Sequence, residues 1–315
     1  MLSPMKKVTV SGLIATHDKK PFWGTITINQ INGLILEVSR TYTKKADYTF
    51  DDDCYIFAGM CDIHIHARED ESTLQNYKED YETASAAALN GGVVCTCAMP
   101  NQPTPLTNMK LFRWHRTRLQ KLNHAVSTLN YIGIDKNTKP IGKPGEHMYK
   151  LYFGKSVGSL TVTYAWELNE ILARYVGHSI SFHVEYEPLI QLAAGGKTHS
   201  DRRPVAAVNE GLNILLPLIE KYKIDAKLCH WSIGGESFTQ IAEYRKRGCK
   251  ISLEVSPLHL FFHTGMTDAK PSLWLLAQMN PAIQSEEHQK ALIKGLREGF
   301  IQFLATDHAP HTEEE

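Results

Sequence analysis

Ala58-Gly59-Met60-Cys61-Asp62-Ile63-His64-Ile65-His66-Ala67-Arg68-Glu69 is the stretch on which the reading of the chain turns. In an extended strand, side chains two apart share a face, so His64 and His66 aim both imidazoles at one point. Two ligands of one metal ion must do the same. The apolar run Cys54-Tyr55-Ile56-Phe57 precedes the pair, which therefore sits where a buried strand reaches a polar site. Arg68, two residues further on, brings a fixed positive charge to the same mouth. An isolated His-x-His is a weak motif, met more often as core or surface histidines than as a metal site. The weight falls on what the rest of the chain supplies.

With 315 residues the chain has room for one large domain or two ordinary ones. Its 34 basic residues balance 34 acidic ones, which removes the electrostatic case for nucleic acid or an anionic membrane. Six cysteines lack any CxxC spacing and lie mostly in apolar runs, so buried thiols in a reducing compartment are expected. No apolar run approaches the ~20 residues of a membrane span. The start, Met1-Leu2-Ser3-Pro4-Met5-Lys6-Lys7, lacks the apolar stretch of a secretion signal, and a cytoplasmic location is the expectation.

Residues 6 to 57 read as short strands with Gly, Asn and Asp punctuation, a small β unit (1–57) ahead of the main domain (58–315). From residue 61 the rhythm becomes strand, loop, amphipathic helix. Strands are expected at 61–66, 93–99, 125–134, 148–153, 179–185, 225–232, 249–255 and 300–307. Helices are expected at 78–90, 108–123, 163–175, 208–222, 236–247 and 286–298, with 135–147 as loop. This alternation is that of an α/β fold of the (β/α)8 TIM-barrel kind. No GxGxxG or Walker loop follows any strand, which argues against nucleotide folds.

Such barrels place their chemistry at the C-terminal ends of the strands. Those ends carry His64 and His66 on the first strand, Asn101 after the second, His183 on the fifth, His230 on the sixth and Asp307 on the eighth; Lys150 lies within the fourth. Any one of these histidines alone reads as an ordinary core or surface residue; jointly they form a pattern. Neutral imidazoles and a carboxylate suit Zn²⁺ and its borderline neighbours. Four histidines plus an aspartate exceed one tetrahedral site and suggest two divalent metals, about 3.5–4 Å apart, sharing a bridge. An unmodified Lys150 would be repelled there, whereas a CO2-derived carbamate on its amine would be anionic and could bridge both ions. Without that context, Lys150 reads as a snorkelling lysine.

At this point the motifs resemble those of dihydroorotases in the amidohydrolase superfamily. The opening stretch does so, as do Ala98-Met99-Pro100-Asn101-Gln102-Pro103-Thr104-Pro105, Tyr149-Lys150-Leu151-Tyr152, Phe182-His183-Val184-Glu185 and Cys229-His230-Trp231-Ser232. Leu253-Glu254-Val255-Ser256-Pro257-Leu258-His259-Leu260, Met279-Asn280-Pro281 and Ala305-Thr306-Asp307-His308-Ala309-Pro310-His311-Thr312 continue the series in family order. The resemblance implies reversible cyclisation of N-carbamoyl-L-aspartate to L-dihydroorotate by a metal-activated hydroxide, in pyrimidine biosynthesis. It implies that His64, His66 and Asp307 hold one metal and His183 and His230 the other, with carboxylated Lys150 bridging. Asp307 would be general base and then general acid. Arg68, Asn101 and His311 match positions that bind the substrate's free carboxylate, and Asn280 one that contacts the pyrimidine ring. Expected partners are the small-molecule substrate, further copies in a homo-oligomer, and an aspartate transcarbamoylase.

The chain departs from the family pattern in places. Asn280-Pro281-Ala282-Ile283-Gln284 lacks the arginine common in that loop, and Pro257-Leu258-His259-Leu260 makes His259 a structural rather than catalytic residue. Lys155 is a rival to Lys150 for the bridge. The sequence stops at Glu313-Glu314-Glu315, where relatives continue with a closing helix and further strands; lower stability or reliance on oligomer contacts is the expectation. Two other readings share the motifs: a dihydropyrimidinase, hydantoinase or allantoinase, and a non-catalytic dihydroorotase-like scaffold subunit.

Overall fold

The computed structural model describes residues 6–155, 159–268 and 277–315; residues 1–5, on which part of the secretion-signal expectation falls, lie outside it. The chain divides into two compact units, Met1–Met60 and Cys61–Glu315.

In the first unit β1 (Lys7–Ile14) pairs antiparallel with β2 (Phe22–Asn29), which pairs antiparallel with β3 (Ile35–Ser39). The short strands β4 (Tyr48–Thr49) and β5 (Tyr55–Ile56) run parallel to β1. β-Branched runs such as Thr25-Ile26-Thr27-Ile28 favour this pleated surface over helix.

The second unit is an α/β fold with parallel sheets. β6 (Met60–Ile65), β7 (Val93–Ala98) and β8 (Ser127–Asn130) form one sheet. β9 (Ile132–Ile134), β10 (Tyr149–Phe153), β11 (Ser179–Val184), β12 (Asp225–Leu228), β13 (Ile251–Val255) and β14 (Phe303–Leu304) form the other, in that spatial order. Only Tyr131 separates β8 from β9, so one expected strand, 125–134, serves both sheets. An isolated parallel bridge joins Ile65 to His308, with His66 N–H donating to the His308 carbonyl at 2.7 Å.

Between the strands lie α1 (Tyr81–Asn90), α2 (Met109–Leu122), α3 (Ala165–Leu172), α6 (Val205–Tyr222), α7 (Glu236–Lys246) and α10 (Glu286–Arg297). Asp80 caps α1 by accepting from Thr83 N–H, and Asn108 caps α2 through Leu111 N–H. Four short helices were not expected from sequence: α4 (Glu187–Leu192), α5 (His199–Arg202), α8 (Pro257–Phe261) and α9 (Thr264–Thr267). Each spans under two turns, too few residues for a helical period to show. No helix among the described residues is long and apolar enough to cross a membrane.

Alternation along the strands positions the site. Tyr149, Leu151 and Phe153 of β10, Ile180, Phe182 and Val184 of β11, Ala226 and Leu228 of β12, and Leu253 and Val255 of β13 join one apolar core with α3, α6, α7 and α10. Period two then turns Lys150, His183, Lys227 and Glu254 to the opposite face. These strands are buried on both faces, as parallel strands flanked by helices are.

Two expected strands end early. β12 stops at Leu228 and β14 spans only Phe303–Leu304; two and three residues beyond these ends His230 (φ 36°) and Asp307 (φ 53°) lie outside the extended region. The cysteine expectation also needs correction. All six are free thiols, yet only Cys97 and Cys229 are buried, and Cys54 and Cys61 are exposed. Cys61 stands near the start of β6, where the strand is still open to solvent.

Candidate metal centre

β6 carries His64, and His66 follows one step past the strand's end. Asp307 arrives from the far end of the sequence, after β14. Its Oδ1 lies 3.1 Å from His64 Nε2 and 3.1 Å from His66 Nε2. The three side chains offer ligand atoms close enough together to hold one metal ion.

The second cluster adjoins the first. His183 Nδ1 and His230 Nε2 face each other at 3.2 Å, and the His64 and His230 ring centroids are 5.3 Å apart. Lys150 is fully buried, and its Nζ has no hydrogen-bond partner. Its charge acts on His64, His183 and His230. An orphaned ammonium in such a place is costly. That orphan, two imidazole nitrogens turned on each other, and a carboxylate shared by two more imidazoles fit a group of divalent-cation type with an anionic adduct on the lysine. Lys155, the rival for that role, is exposed.

Burial opposes charge on His64, but the Glu254 and Asp307 carboxylates overcome it and hold the imidazole up at about 9. Burial pushes His66 down to about 4 and holds His230 well below the usual histidine range. Burial works against the Asp307 anion, yet His64 and His66 keep its carboxyl well below the usual carboxylate range.

Arg68, His230 and Asp307 all have positive φ, three of the six non-glycine residues that do so among those described. Such strain concentrates where side-chain aim matters more than backbone comfort. Gly154 (φ +105°), directly after β10, relieves a different conflict: a Cβ there would collide with the Glu185 carbonyl.

The sequence-expected anion clamp is partly assembled. Arg68, 3% exposed, has a terminal guanidinium nitrogen 3.2 Å from His311 Nε2, while its Nε has no partner. Asn101 Oδ1 accepts from His66 Nδ1 at 2.7 Å, which gives it a bracing contact beyond the expected substrate role. Asn280 stands in the loop before α10 with its Oδ1 buried and unpartnered. His259 bonds through Nδ1 to Ser256 Oγ at 3.0 Å and through Nε2 to the Pro281 carbonyl at 3.1 Å, tying that loop to α8.

Sequence reading gave no role to Glu254, Lys227, Glu185 or Arg203. Glu254 Oε1 lies 2.6 Å from His64 Nδ1, and its other oxygen accepts from Lys227 Nζ. Glu185 Oε2 lies 2.8 Å from His183 Nε2 and pairs with Arg203. A signal was present: charged residues such as Lys227 within Ala226-Lys227-Leu228 are rarely buried unless paired.

No family model matches the chain. Among curated proteins it is similar to the dihydroorotase of Bacillus pumilus, at 32% identity over 281 residues, 83% of this chain and 61% of that protein. The dihydroorotase of Halalkalibacterium halodurans is 30% identical over 325 aligned positions, 98% of this chain and 71% of that protein. The chain spans about six tenths of the length of its Bacillus pumilus and Bacillus subtilis relatives. Among solved structures, L-hydantoinase (dihydropyrimidinase) from Arthrobacter aurescens matches with a TM-score of 0.76 at 23% identity, over 98% of this chain and 70% of that one. At that identity the likeness is one of fold.

Proposed function

The chain belongs to the dihydroorotase family, and from that premise we propose that it interconverts N-carbamoyl-L-aspartate and L-dihydroorotate. The observation that carries the reading is the Arg68–His311 pair, next to two histidines gathered on Asp307. The substrate has a free carboxylate, and a planar guanidinium meets one with two charge-assisted bonds. A hydantoin or dihydrouracil ring offers no such group.

His64, His66 and Asp307 would hold one divalent ion and His183 and His230 a second, with carboxylated Lys150 between them; zinc suits this donor set. Bound ions would supply Lewis acidity for the amide carbonyl and make water nucleophilic at neutral pH. The chain's own residues do the rest. In the hydrolytic direction the Asp307 carboxylate takes a proton from the attacking water and returns it to the leaving ring nitrogen; ring closure reverses both transfers. Arg68 and His311 fix the substrate carboxylate, which orients the ring amide toward Asp307. Asn280 contributes a polar atom for the ring.

We read the parallel sheets as a closed (β/α)8 barrel following a small β unit, a reading supported by the Ile65–His308 bridge between the first strand and the segment after the last.

The test is a dihydroorotate assay with metal quantified on the same sample. Turnover with close to two metals per chain supports the proposal. Turnover of hydantoin or dihydrouracil but not dihydroorotate would move the chain to the hydantoinase class, and neither metal nor turnover would make it a scaffold.

A further inference from the structure

Behind each half of the centre stands the same three-part arrangement, built from unrelated parts of the chain. On one side Lys227 (β12) donates to Glu254 (β13), whose Oε1 lies 2.6 Å from His64 Nδ1 and also accepts from the His230 backbone N–H at 3.3 Å. On the other, Arg203 grips Glu185 through Nε, 3.1 and 3.2 Å from its two oxygens, and through a terminal nitrogen; Glu185 Oε2 is 2.8 Å from His183 Nε2. Glu254 and Glu185 are 1% and 0% exposed.

A carboxylate beside one imidazole nitrogen fixes the proton there and leaves the lone pair on the other. The two braces act on opposite nitrogens. Glu254 claims Nδ1 of His64, so Nε2 faces Asp307; Glu185 claims Nε2 of His183, so Nδ1 faces His230. We infer that Glu254 with Lys227 and Glu185 with Arg203 are positioning residues that set opposite imidazole tautomers, each governing cation affinity in its own half of the centre. The inference rests on the metal-centre reading above.

A competing use of the same atoms must be weighed. His64, Cys229 and Glu254 also lie close enough together to hold a cation of their own. The Lys227 ammonium already occupies the Glu254 carboxylate, however, and its charge reaches Cys229. A further cation would have to displace a buried ammonium, which favours the brace.

The experiment is zinc titration of the full chain against a competing chelator, for wild type, Glu254→Gln and Glu185→Gln. Outer-sphere partners of ligating histidines are worth about 10–100-fold in metal affinity. Each variant should weaken the zinc in the half whose imidazole it braces by that factor and the other zinc distinctly less, and the cobalt-substituted variants should lose different parts of the visible spectrum. Arg203→Lys and Arg203→Met give a second comparison outside the carboxylate: the first should retain the affinity of the His183 half and the second should lose it. Unchanged zinc affinities in well-folded variants would overturn the inference. Three zinc ions in wild type falling to two in Glu254→Gln would overturn it as well, by making Glu254 a ligand. Wild type that binds no zinc would instead sink the metal-centre reading itself.

Discussion

A terminal guanidinium nitrogen of Arg68 lies 3.2 Å from His311 Nε2, across 243 positions of sequence. Arg68, three residues past the end of β6, is held in the left-handed region at φ 58°. In the proposed reaction this pair is what would separate carboxylate-bearing substrates from neutral rings.

Arg68→Met should therefore cost about 3 kcal/mol of transition-state binding, a loss of ~10²-fold in kcat/KM for dihydroorotate. Metal content should not change, because Arg68 offers no ligand atom. Steady-state kinetics with metal analysis check both halves, and full activity in this variant would remove the anion clamp.

Asp307→Asn keeps the side chain's shape but removes the proton acceptor between His64 and His66. A loss of about 10²–10⁴ in kcat is expected from the missing acid–base step alone. The measurement is single-turnover hydrolysis at matched metal loading, which separates proton transfer from weakened metal binding.

Lys150→Met replaces a buried, unpartnered amine by an apolar chain of similar length. Thermal stability of the metal-free protein should hold or rise, while metal content and activity fall. Reconstitution of metal-stripped wild type should also need bicarbonate, since the proposed carbamate on Lys150 would form from CO2. Full metal content in Lys150→Met would return Lys150 to an ordinary core lysine.

His308 gives a pH dependence with a definite sign. Its hydrogen bond to Glu79, the largest influence, raises its affinity for the proton above the ordinary value of 6.5. This stabilisation is fully present below pH 6.5 and is lost as pH rises through the elevated folded value. The pair is partly open to solvent, so the effect is modest. Melting temperature against pH should fall across that window in wild type, and the slope should flatten in Glu79→Gln.

Much of the framework was legible along the chain. Ile180-Ser181-Phe182-His183 declares a strand with one apolar face and one functional face, and the helix expected at 108–123 is Met109–Leu122 in the structure. Helix ends came within a few residues because periodicity is local. The strands leading to His230 and Asp307 were read too long: pairing ends at Leu228 and Leu304, and sequence does not show that the two residues beyond take positive φ. Sequence context favours Lys150 over Lys155, whose neighbours read as loop; Lys150 is buried and Lys155 exposed.

What the amino-acid order determined by itself is therefore the alternation of strands and helices and the inward face of each strand, because both follow from backbone periods of two and 3.6. Which atoms meet was decided by the tertiary structure. The Glu254 carboxylate reaches His64 across 190 positions, and Asp307 reaches His66 across 241. Contacts of that span depend on the stacking order of the strands and on the few residues whose backbone leaves the strand, neither of which any local pattern records.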